Sequence, residues 1–305
     1  MLQFVADGLV VGSTIALGAV GVTLTYSILR FANFAHGEYL AWGAYLALTA
    51  LAAFTAVLGP MRPLGPFTFG WPLLAALLLA APLTAVIALG VDRALFSRLR
   101  GRGAAITLVI ASFGAALALR NLLLFLYGGV PELYTREIPI AWRVLPRDVL
   151  GGLRITPDAL FVLALAGACV VSLHLFLTRA TLGRAMRAVS LNPELARVSG
   201  IDVGAVVRWT WAIGAMLACV AGVFAGLTVQ LRPQLGFDLL LPLFAAAILG
   251  GIGNVWGAVA GGLIVGLAES LSVPLVGAEY RAAAAFAVLI AVLLGRPTGL
   301  FRGDA

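Results

Sequence analysis

Trp71-Pro72-Leu73-Leu74-Ala75-Ala76-Leu77-Leu78-Leu79-Ala80-Ala81-Pro82-Leu83-Thr84-Ala85-Val86-Ile87-Ala88-Leu89-Gly90-Val91 runs without one charged side chain. About 20 apolar residues are enough to cross the hydrocarbon core as a helix. In lipid such a stretch satisfies its backbone polar groups only as a helix. Working outward, similar runs recur at approximately 4–29, 34–57, 71–96, 104–127, 158–178, 207–231, 238–252, 254–274 and 281–295. The pattern predicts an all-α integral membrane protein, a polytopic helical bundle of about eight to nine membrane segments, with residues 1–305 forming a single transmembrane domain. The count turns on Gly250-Gly251-Ile252-Gly253-Asn254, which either separates two short pieces or kinks one long element. Segments too short to cross alone are often half-helices that line a cavity.

Composition points the same way. Hydrophobic residues make up 62% of the chain and charged residues 11%, and the mean hydropathy is +1.07, so there are too few charges to cover a watery surface. The formal charge of +7 is spread through short connections rather than gathered on one polar face, which argues for membrane orientation and against a nucleic-acid partner. All 20 basic residues are Arg, for which we find no physical reason. Cys169 and Cys219 lie inside apolar runs without metal-ligand spacing and read as packing residues. The first positive charge, Arg30, follows the first apolar run, so that run lacks the basic flank of a secretory signal and is expected to remain as a helix.

Arg placement orients the chain, because cytoplasmic connections carry the excess positive charge. Arg93, Arg98, Arg100 and Arg102 cluster at one connection, and Arg179, Arg184, Arg187, Arg197 and Arg208 at another; both are expected inside. Residues 128–157 mix Arg136, Arg143, Arg147 and Arg154 with Glu132, Glu137, Asp148, Pro and Gly, and fit an external loop. Counting crossings places the N-terminus outside and, with nine segments, Arg296, Arg302 and the C-terminus in the cytoplasm. Gly8/Gly12, Gly222/Gly226, Gly257/Gly261 and Gly262/Gly266 have the four-residue spacing that lets helices approach closely in lipid.

Three constellations stand out from this background. In Asn33-Phe34-Ala35-His36-Gly37-Glu38 three polar side chains open an apolar segment. An acid at a helix centre in lipid costs roughly 2.5–3.5 kcal/mol, so these groups either line a wet path or find partners. The plain alternative is that Asn33 caps the helix and Glu38 meets Arg30. Arg120 lies about 10 Å below the outer end of its segment, where it either snorkels to water or enters a cavity to meet a substrate carboxylate or a buried acid such as Glu269.

The third constellation is the polar connection 179–206. Arg184 and Arg187 share a helical face, Asn192-Pro193-Glu194 reads as a cap with Pro at the first helical position, and Gly200 reads as a helix stop. Two short surface helices that dock into another protein are expected. No nucleophile elbow, metal-ligand set or phosphate-binding loop is present. The chain is therefore expected to bind no cofactor or metal itself and not to be an enzyme; any ATP would be hydrolysed on separate subunits.

Gly8 to Gly18, Asn33 to Glu38, Thr181 to Asp202, and Leu249 to Gly262, in this order and separation, resemble the permease subunits of branched-chain amino-acid ABC importers, across nearly the whole chain. The resemblance implies two related helical halves, a homologous or identical second permease, two cytoplasmic ATPase subunits that bind ATP, and an external solute-binding protein. It implies ATPase coupling through Gly183, Arg184, Arg187, Glu194, Arg197 and Gly200. Gly250, Gly251 and Gly253 would lie near a pathway for a small polar solute, together with Asn33, His36, Glu38, Arg120 and Glu269. Asp238 and Pro242 depart from the family pattern, which is more plainly apolar with a basic residue there. Permeases of urea and short-chain amide importers are similar and the motifs do not separate these cargoes; a stand-alone channel or secondary transporter is the reading from another class.

Overall fold

The computed structural model describes residues 1–59, 62–100, 105–146, 152–296 and 299–301. Arg102, Arg147, Asp148 and Arg302, used above for orientation, lie outside the described residues. Among the described residues, eight helices are long and apolar enough to cross a membrane, and a ninth apolar helix is shorter. The long helices are α1 (Leu2–Leu29), α2 (His36–Leu58), α3 (Trp71–Val91), α5 (Ala105–Tyr127), α6 (Pro157–Arg179), α9 (Val203–Thr228), α11 (Val255–Val276) and α12 (Arg281–Gly295), the last reaching crossing length only together with the 3-10 turn Ala278–Tyr280 before it. The short one is α10 (Leu235–Gly250). A π-turn over Asp92–Phe96 prolongs α3 into α4 (Ser97–Leu99), and two polar helices, α7 (Thr181–Leu191) and α8 (Pro193–Val198), lie at one end of the bundle. That end is called the lower end below.

α1 and α9 are the most deeply buried helices and form the axis of the bundle. Their sequences show why: both are apolar around the whole circumference and rich in small residues. The glycine pairs settle the packing. Gly8 and Gly12 of α1 lie on the backbone of α11 at Leu267 and Leu263, and Gly262 and Gly266 of α11 lie on Ala16 and Gly12. Gly257 and Gly261, on another face of α11, meet Gly250 and Ala246 of α10. Small residues thus let α11 approach two helices at backbone contact, where dispersion replaces the missing hydrophobic drive.

The helices fall into two halves of opposite direction. α1 descends, α2 rises and α3 descends; α9 rises, α10 descends and α11 rises. α1 packs against α10 and α11, and α9 correspondingly against α2 and α3. The first helix of each half is therefore inserted between the second and third helices of the other.

The connection after α5 is more ordered than an external loop read from composition would be. β1 (Trp142–Leu145) pairs antiparallel with β2 (Leu153–Ile155). The Arg154 N–H donates to Gln3 Oε1 at 3.0 Å, and Gln3 Nε2 donates to Asp7 at 2.9 Å, which ties this hairpin to α1. Tyr134 turns inward and donates its hydroxyl to the Ala44 carbonyl at 2.8 Å. Asp158, in the first turn of α6, accepts from the Thr68 backbone N–H at 3.0 Å and from its hydroxyl at 2.7 Å.

Candidate functional site

The turn after α1 is built by Arg30, the only non-glycine residue among those described with positive φ, at 58°. Its N–H closes on the Tyr26 carbonyl at 2.8 Å, and its guanidinium donates to the Ser190 carbonyl near the end of α7. Arg30 thus engages α7 rather than Glu38, which removes the simple ion pair allowed by the sequence. Residues 31–35 then turn back into the bundle. Asn33 Oδ1 accepts from the Ala35 N–H at 3.1 Å, and the Phe34 N–H donates to the Ser112 hydroxyl of α5 at 3.0 Å. The His36 ring lies against Gly21, where a Cβ would come within 2.8 Å of it. Gly21 is about two turns, roughly 12 Å, above the lower end of α1, so α2 begins inside the bundle rather than at its surface.

α10 begins in the same way from the other side. The chain leaves α9 at Thr228, pairs Leu231 with Glu132 through two backbone hydrogen bonds of 2.9 Å, and starts α10 at Leu235. Gly37 and Gly236 meet here, and a Cβ on either would run into the carbonyl oxygen of the other. This reciprocal contact sets the N-termini of two helices against each other within the bundle. Each terminus carries an acid in its first turn, Glu38 in α2 and Asp238 in α10, as the positive end of a helix favours.

Charges gather around this junction. Glu38 is 2% exposed, and its Oε2 has no hydrogen-bond partner among the described residues. The charged side chains that act on it are Arg120 and Asp238. The Arg120 guanidinium stands 4.5 Å from the centroid of the Phe237 ring, a cation–π contact that holds it at the junction. Asp238 faces Arg232 at 4.0 Å, both side chains about half exposed. Phe34 packs between Phe113 and Phe244, with ring centroids 6.2 and 5.4 Å away. The group opens on an outward face formed by α5 and α10, where Phe113, Phe237 and Leu241 are exposed.

Other residues singled out in the sequence lie elsewhere. Glu269 is buried on α11, and among the described residues no ion pair joins it to Arg120. Gly250, Gly251 and Gly253 build the lower turn between α10 and α11, with Gly251 and Gly253 at φ 93° and 99°. The Leu300 and Phe301 N–H groups close over this turn on the Leu249 and Gly250 carbonyls at 2.8 and 3.3 Å. Conversely, Phe237 and Arg232 were missed, and Asp238 was noticed only as a departure inside an apolar run; a charge interrupting such a run was the available signal.

At the lower end, Asn192 Oδ1 accepts from the Glu194 and Leu195 N–H groups, both at 3.0 Å, and caps α8. Gly200, at φ 84°, ends it. Gly183 is buried where α7 crosses α6 at Phe176 and Leu177. Met186, Val189 and Ala196 are buried against Val206 of α9. Arg184, Arg187, Glu194 and Arg197 are exposed, alongside Leu191, Leu195 and Val198 at 61, 64 and 86% exposure.

The family model described as branched-chain amino acid transport system / permease component matches residues 4–293. The high-affinity branched-chain amino acid transport system permease protein BraD of Pseudomonas aeruginosa is 33% identical, over 98% of this chain and 95% of that protein. LivH of Escherichia coli, of the same description, is also 33% identical, over 98% and 94%. The autoinducer 2 import system permease protein LsrD of Salmonella paratyphi B is 27% identical, over 57% and 51%. Matched along nearly its whole length, the chain belongs to the branched-chain amino acid transport system permease family.

Proposed function

We propose that this permease passes branched-chain or other small amino acids across a bacterial-type inner membrane by alternating access, driven by ATP on partner subunits. The observation that supports this most directly is the charged junction of α2 and α10 opening on the α5–α10 face. Arg120, Arg232 and Asp238 at this depth would each cost roughly 2.5–3.5 kcal/mol in lipid, so the face is a wall of a wet path. A second permease, homologous or identical, covers it. Asn33, His36 and Glu38 line the path from this chain, and Gly250, Gly251, Gly253 and Glu269 shape the helices around it.

The exposed apolar residues of α7 and α8, ringed by Arg184, Arg187, Glu194 and Arg197, form the surface received by one of two cytoplasmic ATPase subunits. Those subunits bind and hydrolyse ATP, and this chain binds no cofactor. Residues 179–206 thus couple, residues 128–157 face outward toward a solute-binding protein, the N-terminus lies outside and the C-terminus in the cytoplasm. Closure of the ATPase pair moves α7, and a differential affinity of the two states for ATP shifts the bundle between outward and inward openings.

Purification of the intact chain from its native membrane, followed by ATP-dependent uptake of leucine and of urea in vesicles, tests the reading. A second permease with two ATPases, and leucine uptake that requires ATP, support it. Recovery of the chain alone with ATP-independent flux would make it a channel or secondary transporter, and urea uptake without leucine uptake would make it an amide carrier. Replacing Arg187 and Glu194 together by Ala is expected to weaken ATPase association at least tenfold; intact association and uptake would remove the coupling assignment.

A further inference from the structure

We propose that the cavity between α1, the β1–β2 hairpin and the start of α6 is a binding site for an anionic phospholipid. Its phosphodiester sits on Arg143 and Arg154, and an acyl chain runs down between α1 and α6. The inference needs only that the chain crosses a membrane, so it is independent of the transport reading above and of which side the hairpin faces.

The cavity measures about 440 Å³, within the range of small-molecule sites, and its lining changes character with depth. Arg143, Arg154, Asp7 and Gln3 contribute the charged and amide groups. Val10 of α1 and Leu163 of α6 line it farther in. Leu163 is the seventh residue of α6 and Val10 the ninth of α1, which sets them about 9 and 12 Å from the helix ends at about 1.5 Å per residue. Arg154 is held at the level of the first turn of α1, because its N–H donates to Gln3 Oε1 at 3.0 Å. Charge where the helices leave the hydrocarbon, with apolar side chains one or two turns deeper, follows the layering of a phospholipid. Strand alternation turns Trp142 to the other face of the hairpin, where it is 49% exposed, as suits an aromatic residue at the membrane interface.

The hairpin itself calls for an anion. Arg143 and Arg154 are directly opposite each other across the strand pair, and both line the cavity. Like charges in that position destabilise a strand pair, and strands of four and three residues have little to set against the repulsion. Among the described residues lining the cavity Asp7 is the only acid, and it accepts from Gln3 Nε2 at 2.9 Å. Among the described residues no ion pair involves either Arg. The lining therefore carries two positive charges and one negative. A phosphodiester brings one negative charge and two non-bridging oxygens that a pair of guanidinium groups can share, which evens the balance. A zwitterionic headgroup adds no net charge and leaves the excess in place, so a lipid of net charge about −1, such as phosphatidylglycerol, is favoured.

The test titrates the full-length protein, purified in detergent with the partners it retains, and reads bound ligand by native mass spectrometry. The probes are phosphatidylglycerol, phosphatidylethanolamine, glycerophosphoglycerol and inorganic phosphate. Phosphatidylglycerol is expected to bind at least tenfold more tightly than the other three, and the Arg143→Gln/Arg154→Gln double variant to lose at least tenfold in that affinity. Arg136→Gln, which removes an exposed charge outside this cavity, is expected to change it less than twofold. Equal affinity for the two lipids would mean a lipid coat blind to charge, and equal affinity for either water-soluble anion a free-anion site; both overturn the inference. Unchanged binding in the double variant overturns it as well. So does a double variant that keeps the lipid but loses affinity for a solute-binding protein, since the two arginines then belong to a protein interface. If the double variant does not fold, Leu163→Trp is read instead, because it fills the apolar part of the cavity and leaves both arginines. A loss of at least fivefold for phosphatidylglycerol, with phosphate binding unchanged, supports the site, and an unchanged lipid affinity overturns it.

Discussion

At the scale of single residues, Gly37 and Gly236 decide whether the central junction can exist. Each stands where a Cβ would enter the carbonyl oxygen of the other, and neither helix can shift without disturbing α1 or α9. Gly37→Ala and Gly236→Ala are each expected to destabilise by about 1–3 kcal/mol, the usual range for overpacking, or to prevent assembly. Gly114→Ala provides the contrast, because nothing lies within 4 Å of its Cβ position in α5 and Ala is the better helix former by about 1 kcal/mol. Thermal denaturation in detergent measures all three, and a Gly37→Ala protein as stable as the wild type would remove the close contact.

The sequence showed that Asn33 to Glu38 was unusual. It left open what Arg30 and Glu38 do, because both a cap with an ion pair and a path lining use the same residues. The choice depends on Ser190, far along the chain, which takes the Arg30 guanidinium. Side-chain partners at such separations leave no periodic or spacing signal.

At the scale of elements, the polar helices were the most legible part of the chain. Cap, proline and stop residues act locally, so Asn192, Pro193 and Gly200 announced α8 before any packing was known, and the structure places them in those roles. α8 has only six residues, too few to persist alone, so its cap and its buried Ala196 carry a large share of its order. Asn192→Ala leaves two N–H groups without their acceptor and is expected to cost about 1 kcal/mol. If this surface couples as proposed, the loss loosens it while sparing the bundle: uptake per ATP hydrolysed should fall severalfold at nearly unchanged Tm. A variant with unaltered uptake per ATP would mean that α8 does not transmit.

The half-depth start of α10 was only partly legible. Its short apolar run was visible in 238–252, but its first turn, Leu235 to Phe237, carries the junction. Residues 229–234 return into the bundle because Glu132 and Tyr134, from a separate loop, occupy the space beside Leu231 and Gly226. Burying extended backbone requires such partners, and hydropathy does not reveal them. The strand pair of residues 142–155 was missed for a related reason: four- and three-residue strands carry too little alternation to rise above a mixed loop.

At the scale of the whole molecule, the two opposed halves place two helix N-termini near mid-depth and leave their charges on an outward face. A lone bundle presenting Arg232, Asp238 and half-exposed aromatics to hydrocarbon would be penalised, whereas α3 presents only apolar side chains such as Leu83 and Val86 and suits lipid. The two surfaces therefore predict different neighbours. In a Cys169→Ser background, which leaves only the buried Cys219, Leu241→Cys on the α5–α10 face should cross-link to the second permease in native membranes. Val86→Cys on α3 should not, although both side chains are well exposed at 45 and 64%. A product of twice the mass of this chain means that the partner is a second copy, and a product of another mass identifies a different permease. Cross-linking from Val86→Cys in place of Leu241→Cys would put the interface on α3, turn the charged junction toward lipid, and end the case for a path along the α5–α10 face.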